Sequence, residues 1–468
     1  MPPAFKYSDE KASSLDKAQG VMVAVNPAET YDAAYIRKTI RRVDLRLLPI
    51  LGALYAFSLI DRSNLSLARV VGAEVELQLN VGERYSITTL LFFVPYILLE
   101  IPANMVGPRW WLGSIAFVWG STMTAMGFVK DWKALAGCRV VLGACEAGFF
   151  PGCVYLISTW YIREEVQTRL ALFYLLSVLV GGFTPIFAYG VSLIGKAAGL
   201  YAWRWIFVCI LPDAALTIDA TAPDKATFLD AKQVELIRER VEYDRGDAAP
   251  EQLTISKCVT YAKDFKIWVF AFLFLATTIP SYAMSFFLPV ILAGMGYDIA
   301  KSQLLAAPPY AVSVVFGVII SWWADRTKAR GPFIIGQSIV TIVGLAMTAF
   351  ASGNGPRYAG TFLTLCGISA NIPAILAFQS NNVVGQAKKS FASAMVIGAG
   401  GIGGIIASVS FREHDAPQYE PGLWTSIAFS LAQIVLTGAL TFHFSRRNAQ
   451  VRKGGKAIEG QEGFLYTL

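Results

Sequence analysis

The chain has 468 residues, of which 55% are hydrophobic and only 16% are charged, and its mean hydropathy is +0.49. Soluble domains carry about 25% charged residues, so this composition excludes an ordinary soluble protein, and apolar runs of about 20 residues are long enough to span a bilayer. The net charge of +7 is carried by basic residues between these runs, a pattern that indicates membrane topology rather than nucleic-acid binding.

The apolar runs form two sets of six, separated by a polar segment. The first set predicts transmembrane helices at 47–66, 86–106, 111–129, 134–160, 170–194 and 202–221. The second set predicts helices at 266–292, 303–324, 332–351, 357–380, 391–410 and 423–444. The predicted organisation is therefore an N-terminal tail at 1–46, a six-helix half at 47–221, a central linker at 222–265, a second six-helix half at 266–444 and a C-terminal tail at 445–468. Within the linker, residues 234–241 predict a short amphipathic helix.

Basic residues in the loops predict the orientation of the chain. Loops on one side of the predicted membrane contain clusters of lysine and arginine, such as Arg326, Lys328 and Arg330 after the eighth helix, which we expect to be solvated. Loops on the opposite side contain about one basic residue each. Because basic loops remain cytoplasmic, both termini and the central linker are predicted to be cytoplasmic.

The sixth predicted helix is unusual. Residues 202–221 include Arg204, Asp213 and Asp219, with Pro212 in the middle, so the uninterrupted apolar part is too short to span a bilayer. The loop charges nevertheless require an even number of crossings in the first half. We therefore predict that this segment crosses the membrane, although coding sequence missing from this region is an alternative explanation.

Two clusters of charged residues lie inside the first and fourth predicted helices, where an ionisable group costs several kcal/mol. Asp61 and Arg62 end the first helix, and Arg139 and Glu146 lie in the fourth. Arg139 and Glu146 share one helix face, about 10 Å apart along the axis. Such residues usually mark a substrate or proton pathway, but purely structural pairs, Arg139 with Glu146 and Arg62 with Asp61, are the alternative.

Polar residues on other predicted helices extend this pattern. Tyr96, Glu100 and Asn104 recur at steps of four along the second helix, and Asn64 shares a face with Asp61 on the first. Three helices are thus predicted to direct polar groups into one cavity. Glu100 and Asn104 lie nearer the cytoplasm, where a gating or structural role is expected.

Other residue patterns indicate no catalytic chemistry. Two histidines and six irregularly spaced cysteines form no metal-binding or disulfide pattern, so we predict no metal, no cofactor and no enzymatic activity. The glycines between 398 and 404 lie in an apolar run without a preceding strand, which favours close helix packing over phosphate binding. Asp325 and Arg326, at a helix end beside a basic loop, are predicted to act in gating or topology.

The motifs, taken in order, resemble those of one family. They are Asp61-Arg62-Ser63-Asn64, Phe93 to Asn104, Arg139 to Gly152, Trp203 to Phe207, Pro308 to Val312, Ala324-Asp325-Arg326, Ser380 to Val383 and Asp415 to Tyr419. Together they resemble the anion:cation symporter branch of the major facilitator superfamily, close to fungal allantoate, nicotinate and pantothenate permeases. The resemblance implies an all-α polytopic membrane fold of two six-helix halves, about 12 spans in all. It also implies that Asp61 and Glu146 take the proton-coupling positions, with Arg62 and Arg139 in the adjacent arginine positions.

These observations predict a secondary transporter that takes a small organic anion, a carboxylate, into the cell with protons across the plasma membrane. Arg62 or Arg139 would bind the carboxylate, because a guanidinium binds it through two parallel hydrogen bonds. Tyr96, Asn371 and Asn64 would hydrogen-bond the rest of the substrate. The expected partners are therefore the anion, protons and the lipid bilayer, with no nucleic acid. The alternatives are an efflux antiporter for a drug, toxin or secondary metabolite, and a non-functional relic with a short sixth helix.

Overall fold

Long apolar helices dominate the computed structural model, which describes residues 30–79, 81–82, 84–106, 108–162, 165–197, 199–208, 229–245, 254–297, 299–411, 419–459, 461 and 464–468. Among these residues, nine helical segments are long and apolar enough to cross a membrane. Such helices satisfy all their backbone hydrogen bonds internally, which the hydrocarbon core requires. The protein is therefore an all-α polytopic membrane protein, as the composition predicts.

The first half begins with α1 (Ala33–Ala68), which continues into a π-helix (Arg69–Ala73) and a short turn of helix (Glu74–Glu76). It continues with α2 (Arg84–Val106), α3 (Pro108–Met126), α4 (Trp132–Glu146), α5 (Phe149–Trp160) and α6 (Val166–Ser192). A two-residue hairpin, β1 (Lys196–Ala197) and β2 (Leu200–Tyr201), precedes α7 (Ala202–Val208). The predicted crossing at 202–221 continues beyond α7 into residues outside the described part of the chain.

The second half follows two polar helices, α8 (Ala231–Arg245) and α9 (Ile255–Tyr261). It consists of α10 (Phe265–Gly294), α11 (Ile299–Thr327), α12 (Gly331–Phe350), α13 (Asn354–Asn382), α14 (Gln386–Ser410) and α15 (Glu420–Arg452). The predicted amphipathic helix is α8, which buries Leu236 and Ile237. Arg42 of α1 donates to its Gln233 at 3.2 Å, so α8 packs on the first half.

The predicted fourth span is observed as one candidate span at Trp132–Trp160, which a turn at Ala147 and Gly148 divides into two helices. Helix α4 ends at Glu146, and α5 begins at Phe149, with Gly148 as its N-cap residue. Pro151 lacks an N–H group, so the carbonyl of Ala147 loses its intrahelical partner and the helix breaks there. The break places Glu146 at a helix end.

Glycines bring the two halves into close contact. Helix α2 packs against α14, and α6 packs against α11. An added Cβ on Gly401 would lie 2.9 Å from Ile97 of α2, and one on Gly182 would lie 2.5 Å from Tyr310 of α11. The glycines of α14 therefore serve close helix packing, as predicted.

Candidate functional site

A buried ion pair joins α1 to the end of α4. Arg62 Nε donates to Glu146 Oε2 at 3.1 Å, and Ser58 Oγ donates to the same oxygen at 2.6 Å. The exposed fractions of the Arg62 and Glu146 side chains are 7% and 1%. Ser58 and Arg62 share a face of α1 because they are four residues apart. One carboxylate oxygen thus accepts two hydrogen bonds from a single helix.

Aromatic rings enclose the Arg62 guanidinium. Its Cζ atom lies 4.8 Å from the ring centre of Tyr96 and 5.4 Å from that of Phe92, both on α2. Its Nη1 donates to the Tyr282 hydroxyl at 2.9 Å, and Tyr282 belongs to α10 of the other half. Aromatic faces and hydroxyl oxygens stabilise a buried cation. Arg62 therefore contacts both halves at once.

Arg139 lies beside Asp61 with part of its hydrogen-bonding capacity unused. Its Nη1 donates to the backbone carbonyl of Asp61 at 3.4 Å, and Asn64 Nδ2 donates to Asp61 Oδ1 at the same distance. Arg139 is 2% exposed. Its Nε and Nη2 have no hydrogen-bond partner among the described residues. Two buried guanidinium donors are thus open to an anion.

Among the residues that it describes, the structure contains neither of the two ion pairs that the sequence left open as structural alternatives. Arg139 and Glu146 are two turns apart on α4, too far for a direct contact within one helix. Asp61 and Arg62 are consecutive, so their side chains leave α1 about 100° apart. The two arginines instead make contacts across helices: Arg62 with the Glu146 carboxylate, and Arg139 with the backbone carbonyl of Asp61. We call these four residues the charged cluster.

The remaining residues of the predicted cavity lie in different environments. Glu100 is 1% exposed and lies against α14, where an added Cβ on Gly398 would be 3.2 Å from its Oε2. Asn104 belongs to α2, but its side chain lies outside the described part. Asn371 donates to Ser338 of α12 at 3.0 Å, so its contact lies within the second half rather than with the charged cluster.

Asp325 connects the halves at another level. It accepts hydrogen bonds from the backbone N–H of Thr168, at 2.7 Å, and from the Thr168 hydroxyl. Thr168 is in the first turn of α6, whose N-cap residue provides no side-chain hydrogen bond. A carboxylate at the start of a helix accepts a hydrogen bond from a free backbone N–H and interacts favourably with the helix dipole. Asp325 also pairs with Arg330, Nη2 to Oδ1 at 2.6 Å. We call Thr168, Asp325 and Arg330 the latch.

The structure corrects the expectation of a solvated Arg330. Arg330 is 1% exposed, whereas Arg326 is exposed and lies over the Trp322 ring. Only an ion pair makes such burial of a charge tolerable, and Asp325 supplies it. Hydropathy alone could not distinguish the two arginines, because both follow the same apolar run.

Sequence reasoning also missed Ser58, Phe92 and Tyr282. Ser58 could have been predicted from the sequence, since it lies one turn before Arg62 on the same face of the helix. Tyr282 could not have been predicted, because it contacts Arg62 from 220 positions away in the sequence.

Residues 51–408 match the family model described as Major Facilitator Superfamily. The chain belongs to the major facilitator superfamily. Among similar members are the MFS-type transporter cnsO of Penicillium expansum, 30% identical over 91% of this chain and 86% of that protein, and the high-affinity nicotinic acid transporter of Saccharomyces cerevisiae, 28% identical over 88% and 78%. The family resemblance stated from the motifs is confirmed. This major facilitator protein is a multi-pass membrane transporter and not an enzyme.

A solved structure of the same fold supports the architecture. The proton:xylose symporter XylE superimposes with a TM-score of 0.67, covering 87% of this chain and 96% of that one at 11% sequence identity. The match at so low an identity confirms the major facilitator fold alone. The substrate must be inferred from the site residues themselves.

Proposed function

We propose that this transporter moves a small organic anion, a carboxylate, into the cell together with protons. The observation that carries the proposal is the pair of open donors on Arg139, buried beside Asp61. A buried guanidinium without a full set of acceptors favours an anionic ligand, and a planar carboxylate matches its geometry. The name of the yeast relative, a nicotinic acid transporter, supports the same substrate class.

The charged cluster suggests a division of roles. Arg139 binds the substrate carboxylate, while Asn64, Tyr96 and Asn371 bind the rest of the molecule as the halves move. Arg62 is already occupied by Glu146 and Tyr282, so its contact with substrate requires that one of them withdraw.

Proton coupling follows from this competition. When Glu146 is protonated, it no longer neutralises Arg62, and the freed guanidinium then favours an incoming anion. Asp61 is the second coupling carboxyl in the proposal. Substrate and proton each strengthen the binding of the other by the same factor, which is the linkage a symporter needs.

Alternating access is proposed to come from rocking of the two halves around this cluster. Asp325 gates the pathway through the latch, Arg326 orients the adjoining loop by its charge, and Glu100 and Asn104 belong to the contact of α2 with α14. The predicted boundaries, 47–221 and 266–444, define the moving units. The protein is placed in the plasma membrane with both termini in the cytoplasm, in keeping with the basic loops.

The test is uptake of radiolabelled carboxylates, nicotinate first, into proteoliposomes with and without an inward proton gradient. We expect accumulation only with the gradient. Arg139→Lys keeps the charge but loses the two-pronged geometry, so it should raise KM by about tenfold or more. The matched control, Arg326→Lys, alters an exposed arginine and should leave KM unchanged. Equal effects of the two substitutions would remove Arg139 from the site, and export driven by the gradient would favour the efflux alternative.

A further inference from the structure

The residues at 464–468, here called the tail segment, lie in a groove of the second half beside Arg330 of the latch. The groove is formed by α10, α13, α15 and the loop before α12. Phe464 and Tyr466 are 6% and 8% exposed, and the Tyr466 ring stacks on Phe444 of α15 with 4.2 Å between ring centres. Lys266 of α10 donates to the Tyr466 hydroxyl at 3.1 Å.

Two buried asparagines bind the backbone of the tail segment. Asn448 donates to the carbonyl of Tyr466 and accepts from its N–H, both at 2.8 Å. Asn382 donates to the carbonyl of Thr467 at 3.2 Å and accepts from its N–H at 2.8 Å. A side-chain amide that pairs with both groups of one residue imitates a neighbouring strand, which is how extended peptides are commonly recognised.

The groove also connects to the latch. The backbone N–H of Arg330 donates to the carbonyl of Leu468. Arg330 is the residue whose guanidinium pairs with Asp325, and Asp325 accepts from Thr168 of the other half. A continuous series of polar contacts therefore runs from the tail segment to the first turn of α6.

We propose that this groove is a peptide-binding site occupied by the chain's own tail segment, and that its occupancy keeps Arg330 in position to hold Asp325 against Thr168. The asparagines hydrogen-bond the backbone of the tail segment, and the aromatic contact of Tyr466 with Phe444 fixes the register of the segment in the groove. Release of the segment frees the Arg330 loop and weakens the contact between halves. This role goes beyond the proposed function, because it sets how readily the halves separate whatever substrate is carried.

The test uses the full chain and a pair of substitutions at one position. Thr467→Pro removes the N–H that Asn382 accepts, whereas Thr467→Val keeps it and changes only the side chain. Amide hydrogen exchange of the purified protein is followed by mass spectrometry in two segments, 464–468 and 166–170. We expect the proline variant to exchange about fivefold faster in both segments, since a lost hydrogen bond is worth about 1 kcal/mol and 1.4 kcal/mol is tenfold. The valine variant should exchange like the unmodified protein.

The decisive segment is 166–170, because it contains Thr168 and lies in the other half of the protein. Faster exchange confined to 464–468 would overturn the proposal, since the tail segment would then be docked without holding the latch. Unchanged exchange everywhere would overturn the binding site itself. Asn448→Leu, which alters the groove instead of its occupant, should reproduce the proline result. Exchange that rises with protein dilution would assign the groove to a second copy and also overturn the proposal.

Discussion

The substitution Glu146→Gln separates substrate exchange from proton coupling. Glutamine has the shape of a protonated glutamate, and its amide oxygen can still accept from Ser58 and Arg62, which donate to Glu146 Oε2. The variant therefore keeps the local geometry but cannot bind or release a proton. We expect it to exchange labelled for unlabelled substrate across the membrane and to lose gradient-driven accumulation.

The size of the loss follows from the energy of the gradient. One pH unit corresponds to 1.36 kcal/mol per proton, which supports about tenfold accumulation of a substrate carried with one proton. With an inward gradient of about two units, the unmodified transporter should reach roughly hundredfold accumulation, and Glu146→Gln should reach none. Both accumulation ratios are measured from the amount of labelled substrate inside proteoliposomes at steady state. Counterflow, measured without a gradient, reports the exchange that remains.

The matched control is Asp131→Asn at the opposite end of α4. Asp131 caps this helix by accepting from the N–H of Ala134 at 2.7 Å, and asparagine caps a helix equally well. The control removes one carboxylate from the same helix and should accumulate substrate normally. Full accumulation by Glu146→Gln would refute the coupling role of this residue. Coupling would then fall to Asp61, which Asp61→Asn tests in the same assay.

Three further outcomes are expected. Tyr282→Phe removes the hydroxyl that accepts from Arg62 Nη1 and so frees this donor for the substrate; since a hydrogen bond to a charged group is worth about 1.5–3 kcal/mol, KM should fall by about tenfold or more, and an unchanged or raised KM would contradict this role. Gly404→Ala adds a Cβ 2.8 Å from a phenylalanine ring of α2 and should destabilise the protein by about 1–3 kcal/mol in thermal unfolding, whereas Gly438→Ala, with open space around it, should not. Burial raises the pKa of Asp264, but the hydrogen bond from Lys388 and nearby charges outweigh it and hold that pKa below its usual range. Its stabilising contribution is therefore present above the ordinary carboxyl range and lost as pH falls through the lowered pKa, so the destabilisation by Asp264→Asn should disappear in acid; a constant difference would contradict it.

The helical architecture could be predicted from the sequence because a bilayer imposes one length and one polarity on every span. Helix α13 illustrates this, since it is predicted at 357–380 and observed at Asn354–Asn382. The first helix was underestimated because Arg37 to Arg46 are too polar for a span, yet they continue α1 beyond the apolar part. Hydropathy indicates only the part of a helix that lies inside the membrane, whereas the full length of the helix also depends on packing outside it.

The residues of the charged cluster could be predicted from the sequence, but the contacts between them could not. The cost of burying a charge identified all four members of the charged cluster. Their partners depend on how α1 and α4 are placed side by side, and on the break after Glu146, which no periodicity shows. The tail segment was missed for a related reason. Its backbone is bound by Asn448 and Asn382, which lie 18 and 85 positions away in sequence, and its own short, mostly apolar run gives no sign of these partners.

The balance of buried charge explains why an anion should bring a proton with it. Two arginines, Arg62 and Arg139, share the buried interior with three carboxyls, Asp61, Glu146 and Glu100. A net charge in a medium of low polarity is costly, so the favoured state has one carboxyl protonated and no net charge. Binding a carboxylate anion adds one negative charge, and neutrality returns only when one more proton enters. Under the proposed function, the count of charges therefore predicts one proton per anion, whichever carboxyl accepts the proton.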